Sequence, residues 1–99
     1  MTRRVIFTPL AQAEFSDAVA WYEARSDRTR DRFIAGVENL RDRIAENPLQ
    51  YERLRGDARR AFLHGFPYML VYRVSAEEVQ VVACFHTSRN PRGWRRRLS

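Results

Sequence analysis

The sequence predicts an α+β domain: a short N-terminal strand and a two-helix antiparallel hairpin packed on a C-terminal antiparallel β-sheet, in the order β-α-α-β-β-β. Three observations carry this. Residues 66–85 hold two apolar runs rich in Val, Tyr, Leu and Phe around the polar turn Ser75-Ala76-Glu77-Glu78, the pattern of a β-hairpin. Two stretches upstream repeat apolar residues at helical spacing. Helices and strands are also segregated along the chain, which suits an antiparallel sheet.

Val5-Ile6-Phe7 reads as the first strand. Thr8-Pro9 then starts a helix, with Thr as N-cap and Pro at the first helical position. Its apolar stripe is Ala11, Phe15, Ala18 and Tyr22, with Val19 beside them; Gln12, Glu14, Asp17 and Glu23 take the solvent side. Ser26-Asp27 punctuates. A second helix spans about 29–46 with the stripe Phe33, Val37, Leu40 and Ile44, and Asn47-Pro48 stops it. Two such helices form a hairpin whose stripes need a surface to cover.

Residues 48–57 read as a charged loop, 58–64 as a strand, and Gly65-Phe66-Pro67 as the turn into the long hairpin. If Val74 faces Val79, alternation puts Tyr68, Leu70, Tyr72 and Val74 on one face with Val79, Val81, Ala83 and Phe85. That face is the core wall. The other carries Met69, Val71, Arg73, Gln80, Val82, Cys84 and then His86, and is expected to be half open and to hold the chemistry. Beyond Phe85, residues 86–91 read as polar loop, Trp94 as an anchor packed on the sheet or a base-stacking platform, and Arg95-Arg96-Arg97 as a solvated basic tail.

Ninety-nine residues suit one domain, 1–99. A lone cysteine allows no intramolecular disulfide and points to a reducing cytoplasm, with Cys84 a small buried hydrophobe. No apolar run approaches a membrane span, and the N-terminus does not read as a signal peptide, so a soluble cytoplasmic protein without membrane contact is expected. All 18 basic residues are arginine. They are unevenly placed: residues 1–52 carry eight against nine acids, residues 53–99 ten against three. The second half therefore attracts polyanions, either nucleic acid or an acidic protein segment.

His64 and His86 have no cysteine pair or carboxylate cluster at ligand spacing, and there is no glycine-rich phosphate loop or nucleophile elbow. No metal or cofactor is expected. One group has two readings: Arg59, Arg60, Arg73, His86 and Arg89 form either a solvated basic face or a phosphate-gripping site. In the second, His86 would move protons and the arginines would hold a phosphorane during metal-free RNA cleavage.

The ordered set Phe7-Thr8-Pro9-Leu10-Ala11, Glu14-Phe15, Val19, Tyr22, Asn47-Pro48, Arg59-Arg60, the segment 66–73 and the segment 86–94 resembles the RelE/ParE superfamily of type II toxins. These are the stable halves of bacterial toxin–antitoxin pairs. The F-P-Y-x-x-x-Y-R strand followed by H-x-x-R-x-P-x-x-W is similar to the ParE side. RelE-type members carry arginine after the tyrosine that opens this strand; here that position is Met69, and the late aromatic is Trp94. The resemblance implies a RelE/ParE-like fold and inhibition of DNA gyrase by binding. It also implies neutralisation by a cognate antitoxin with an acidic tail that becomes helical, in a hetero-oligomer. Arg59, Arg60, Arg73, His86, Arg89 and Trp94 are then candidate target- or antitoxin-binding residues. The alternatives are a ribosome-dependent mRNA endonuclease using His86, Arg73 and Arg89, or an inactive binding paralogue.

Overall fold

The computed structural model describes residues 2–98. Strand β1 (Arg4–Phe7) leads into α1 (Pro9–Glu23), where Thr8 Oγ1 accepts the Ala11 N–H at 3.2 Å. Helix α2 (Asp27–Glu46) starts two residues before the expected 29. Ser26 is its N-cap, with Oγ accepting the Thr29 N–H at 3.2 Å. Asn47-Pro48 ends it as expected, and the two helices form a hairpin over one face of the sheet.

The charged segment after α2 departs from the loop reading. Pro48–Gln50 makes a 3₁₀ turn and Glu52–Arg55 forms strand β2, paired antiparallel with β3 (Ala58–Phe62). The Tyr72 hydroxyl donates to Pro48 O at 2.6 Å, and Arg59 Nη1 donates to Leu49 O at 3.2 Å and Tyr51 O at 2.8 Å. Periodicity missed β2 because Glu-Arg-Leu-Arg has one apolar residue. Charge is what an edge strand uses to resist further pairing.

β4 (Tyr68–Val74) and β5 (Glu78–His86) make the long hairpin, and Val74 does face Val79. The sheet order is β1-β5-β4-β3-β2, with β1 added as a parallel edge on β5. The register then slips. Tyr72 faces Val81 but Val71 faces Ala83, so Val82 is an extra residue, a β-bulge. A one-residue shift exchanges the faces of everything beyond it. The expected core wall is correct up to Val81 and reversed afterwards: Cys84 and His86 join Tyr68 and Leu70 under the helices, while Ala83 and Phe85 turn to the far side.

The far side is not half open. α3 (Arg92–Arg95) and a final 3₁₀ turn (Arg96–Leu98) lay Trp94 and Leu98 on Met69, Val71, Val82 and Phe85, forming a second core. Trp94 is 3% exposed, so the packed reading holds and the stacking reading does not. A Cβ on Gly93 would lie 2.9 Å from Phe85 Cζ, so glycine lets α3 sit this close.

β1 stops at Phe7, and the Thr8 N–H donating to Val81 O at 2.9 Å ends its partnership with β5. Past that point the edge of β5 lacks a strand. Two side chains replace it: Arg97 Nη1 donates to Val82 O at 2.9 Å, and Glu14 Oε1 accepts the Cys84 N–H at 3.1 Å. The two also pair with each other, Nη1 to Oε1 at 2.7 Å and Nη2 to Oε2 at 2.9 Å. Glu14 was expected on the solvent side and Arg97 in a solvated tail; both are instead largely buried, at 12% and 18% exposure.

Removing the carboxylate leaves the buried Arg97 guanidinium unpaired and the Cys84 N–H without its acceptor. Glu14→Ala should therefore destabilise the fold by about 3 kcal/mol. Glu14→Ala/Arg97→Ala should cost less than the two single changes added together. Urea unfolding of the four proteins checks this. Additive losses would show that the pair does not act as a unit.

Candidate functional site

Where the edge of β5 is open, α1 stands back from the sheet and leaves a pocket of about 360 Å³. Its walls are Asp17, Trp21 and Tyr22 from α1, Pro67 and Tyr68 from the turn into β4, Cys84 and His86 from the end of β5, and Arg89 from the turn after it. Glu14 also lines it.

His86 is half-buried with its ring edge-on to Tyr68, centroids 5.1 Å apart. Its Nδ1 accepts the Ser88 N–H at 3.1 Å, and Ser88 Oγ lies 2.8 Å away. A backbone N–H can only donate, so in the neutral ring the proton sits on Nε2. The free nitrogen is then a hydrogen-bond donor. Arg89 is exposed beside Tyr68, whose hydroxyl pKa is pushed up by burial despite the opposing pull of that guanidinium. Burial, with the Glu14 carboxylate adding to it, pushes the Cys84 thiol up to about 12. Cys84 is therefore an inert buried group, as read from its strand position.

Trp21 was missed. It is 51% exposed at the pocket rim, with the Arg25 guanidinium carbon 3.2 Å from its ring centroid. The available signal was its place on α1: it falls off the Ala11–Phe15–Ala18–Tyr22 stripe, so burial cannot account for it.

The five-residue group does not assemble. Arg73 is five residues from Tyr68 along β4, roughly 17 Å at strand spacing, and on the opposite face. It donates to Asp57 at 3.2 Å. Arg60 shares that far face and grips Glu52 through Nε at 2.9 Å and Nη2 at 3.2 Å. Arg59 is spent on backbone carbonyls, and Trp94 is core. Only His86 and Arg89 share the pocket. The bulge at Val82 separates them from Arg73. Among the described residues, no group of three or more His, Cys, Asp or Glu is placed to hold a metal ion. No helix among them is long and apolar enough to cross a membrane.

Residues 5–91 match the ParE toxin of the type II toxin–antitoxin system, parDE. The chain belongs to the ParE toxin family. Among solved structures, a chain of the chromosomal ParDE TA system from P. aeruginosa superposes with a TM-score of 0.75 at 13% identity, covering 88% of this chain and 98% of that one. At that identity the likeness is one of fold. No curated protein sequence matches. The ParE match contains the whole pocket and ends before α3, so His86 and Arg89 lie inside it while Trp94 and Arg97 lie outside.

The raised pKa values give a pH signature with a definite sign. A thiol held at about 12 in the folded chain, against 9.0 ordinarily, keeps its proton when the unfolded chain has lost it. This group therefore adds no pH dependence below about pH 9 and lowers stability as pH rises from there toward 12. Tyr22, Tyr68 and Tyr72, all raised from 10.0, steepen the loss above pH 10. Cys84→Ala should flatten the first part of the decline, between about pH 9 and 10, in urea midpoints measured across this range. An unchanged curve would place the cause elsewhere.

Proposed function

We propose that this ParE-family chain acts as a toxin by binding DNA gyrase through the pocket of Trp21, Tyr68, His86 and Arg89, without catalysis of its own, and that a cognate antitoxin neutralises it. The observation that carries the reading is the state of His86. Its Nδ1 is taken up by the Ser88 N–H, which leaves the neutral ring a donor toward the pocket. A general base needs a free nitrogen lone pair near its proton, and a phosphate needs several cations around it. Arg89 alone shares the pocket with His86. A half-exposed tryptophan beside an arginine and a histidine donor instead suits an anchor for a protein surface.

The antitoxin has a separate place to bind. A groove of about 310 Å³ runs between α1 and α2, lined by Phe7, Phe15, Val19, Ile34 and Val37, with Glu38 and Arg41 at its rim. A segment that orders on binding needs apolar contacts to recover its ordering entropy. This groove supplies them. Arg60 and Arg73, expected from sequence to serve, lie on the face covered by Trp94 and Leu98 and are held by Glu52 and Asp57, while Arg59 lies on the helix side and is held by backbone carbonyls.

Expressed without antitoxin, the chain should arrest growth and induce the DNA-damage response with mRNA half-lives unchanged. Trp21→Ala and Arg89→Ala should keep the fold and weaken inhibition of gyrase supercoiling by about tenfold or more, the scale of a lost interface anchor. Ile34→Ser should instead weaken antitoxin capture and leave supercoiling inhibition intact. Cleavage of translated messages within minutes, abolished by His86→Ala while supercoiling proceeds, would overturn the reading in favour of an endonuclease.

A further inference from the structure

The far side of the sheet carries a second surface that the pocket does not use. A cleft of about 340 Å³ lies between β2 and the C-terminal helical turns, lined by Glu52, Leu54, Arg55, Arg60, Trp94, Arg95 and Leu98. Three arginines face one carboxylate there. Arg92 and Arg96 are exposed on the same C-terminal segment. No carboxylate side chain occurs between Asp57 and Glu77, or from Val79 to the C-terminus. Among the described residues, Arg55, Arg92, Arg95 and Arg96 make no ion pair, whereas Arg60 is held by Glu52.

We propose that this arginine face binds the phosphate backbone of duplex DNA. The chemistry of the cleft selects among polyanions. An acidic peptide that orders on binding must recover its entropy from apolar contact. Here the apolar floor is already consumed: Trp94 is 3% and Leu98 8% exposed, both packed on the sheet. Charge is what remains available. A single strand would call for exposed aromatic faces on which bases stack. The cleft's tryptophan is buried, and Phe62, half-exposed farther along β3, already carries the Arg60 guanidinium at 5.3 Å from its ring. A duplex keeps its bases stacked and presents phosphates at regular spacing, which needs only guanidinium donors in a row. The lining offers arginines beside a buried Trp94 and Leu98, so the contact is to the backbone and tolerant of sequence. This surface lies across the sheet from the α1–α2 groove, so an antitoxin seated there leaves the arginines free.

The inference does not rest on the gyrase reading, because it is measured on naked DNA. Fluorescence anisotropy of the full chain with a labelled duplex of about 20 base pairs, between about 50 and 200 mM salt, should give a log–log salt slope of about −3.6 for four phosphate contacts. Arg55→Gln/Arg95→Gln should reduce the slope by about two and weaken binding alike on unrelated sequences. Arg28→Gln/Arg43→Gln removes the same charge from α2 and should leave the slope unchanged. Circular dichroism checks that each variant is folded; if the double variant is not, Arg95→Gln alone should reduce the slope by about one. Absent duplex binding, or an equal loss in the α2 control, would refute the assignment, the latter by showing net charge alone at work. Tighter binding of the single strand, or displacement of DNA by polyglutamate at equal charge, would also overturn it.

Discussion

The buried pair between Glu14 and Arg97 joins the first helix to the last turn of the chain, 83 residues apart. Ion pairs this enclosed are costly to desolvate and often add little net stability. This one is retained because the backbone needs it. With β1 ended and Val82 bulged, the outer edge of β5 presents a carbonyl and an amide that no strand reaches, and the carboxylate and guanidinium satisfy one each. The pair stands in for a missing stretch of strand. It also fixes where the edge becomes open again, and the pocket begins there.

The bulge does the complementary work on the other axis. With a regular register His86 would project to the side of Arg73 and Phe85 would lie under the helices. The extra residue reverses this, bringing His86 against Tyr68 and putting Phe85 under Gly93 and Trp94. One inserted residue therefore fills two cores and composes the pocket. Bulges beside functional sites commonly re-aim a side chain in this way.

What was legible in the sequence was local. The cap at Thr8, the helix stripes, the stop at Asn47-Pro48 and the pairing of Val74 with Val79 each follow from a few neighbouring residues. The misses share one cause. β2 has too few apolar residues for a strand period, because its role is to end the sheet. The bulge has no glycine or proline to announce it; Val82 looks like its neighbours. Glu14 and Arg97 read as solvent-facing because each is costly to bury alone, and their partnership spans almost the whole chain. The same long-range effects decided the site: the motif picks out His86 and Arg89, the unseen bulge hides that His86 leaves the face Arg73 occupies, and Trp21 joins them only through the fold.

The ParE match ends at residue 91, yet the second core is completed by residues beyond it. Trp94 and Leu98 cover the far face, and Arg97 reaches through to the near one. This division separates two demands on one short segment. Its apolar residues and Arg97 are committed inward, which leaves Arg92, Arg95 and Arg96 nowhere to point but solvent. An amphipathic helix on a sheet must present something outward, and here every outward charge has the same sign. Removing the inward residues would unfold the face, while neutralising the outward ones would leave it standing. The basic surface and the pocket can therefore be altered independently, although Arg97 belongs to the segment that carries one and closes the edge that frames the other.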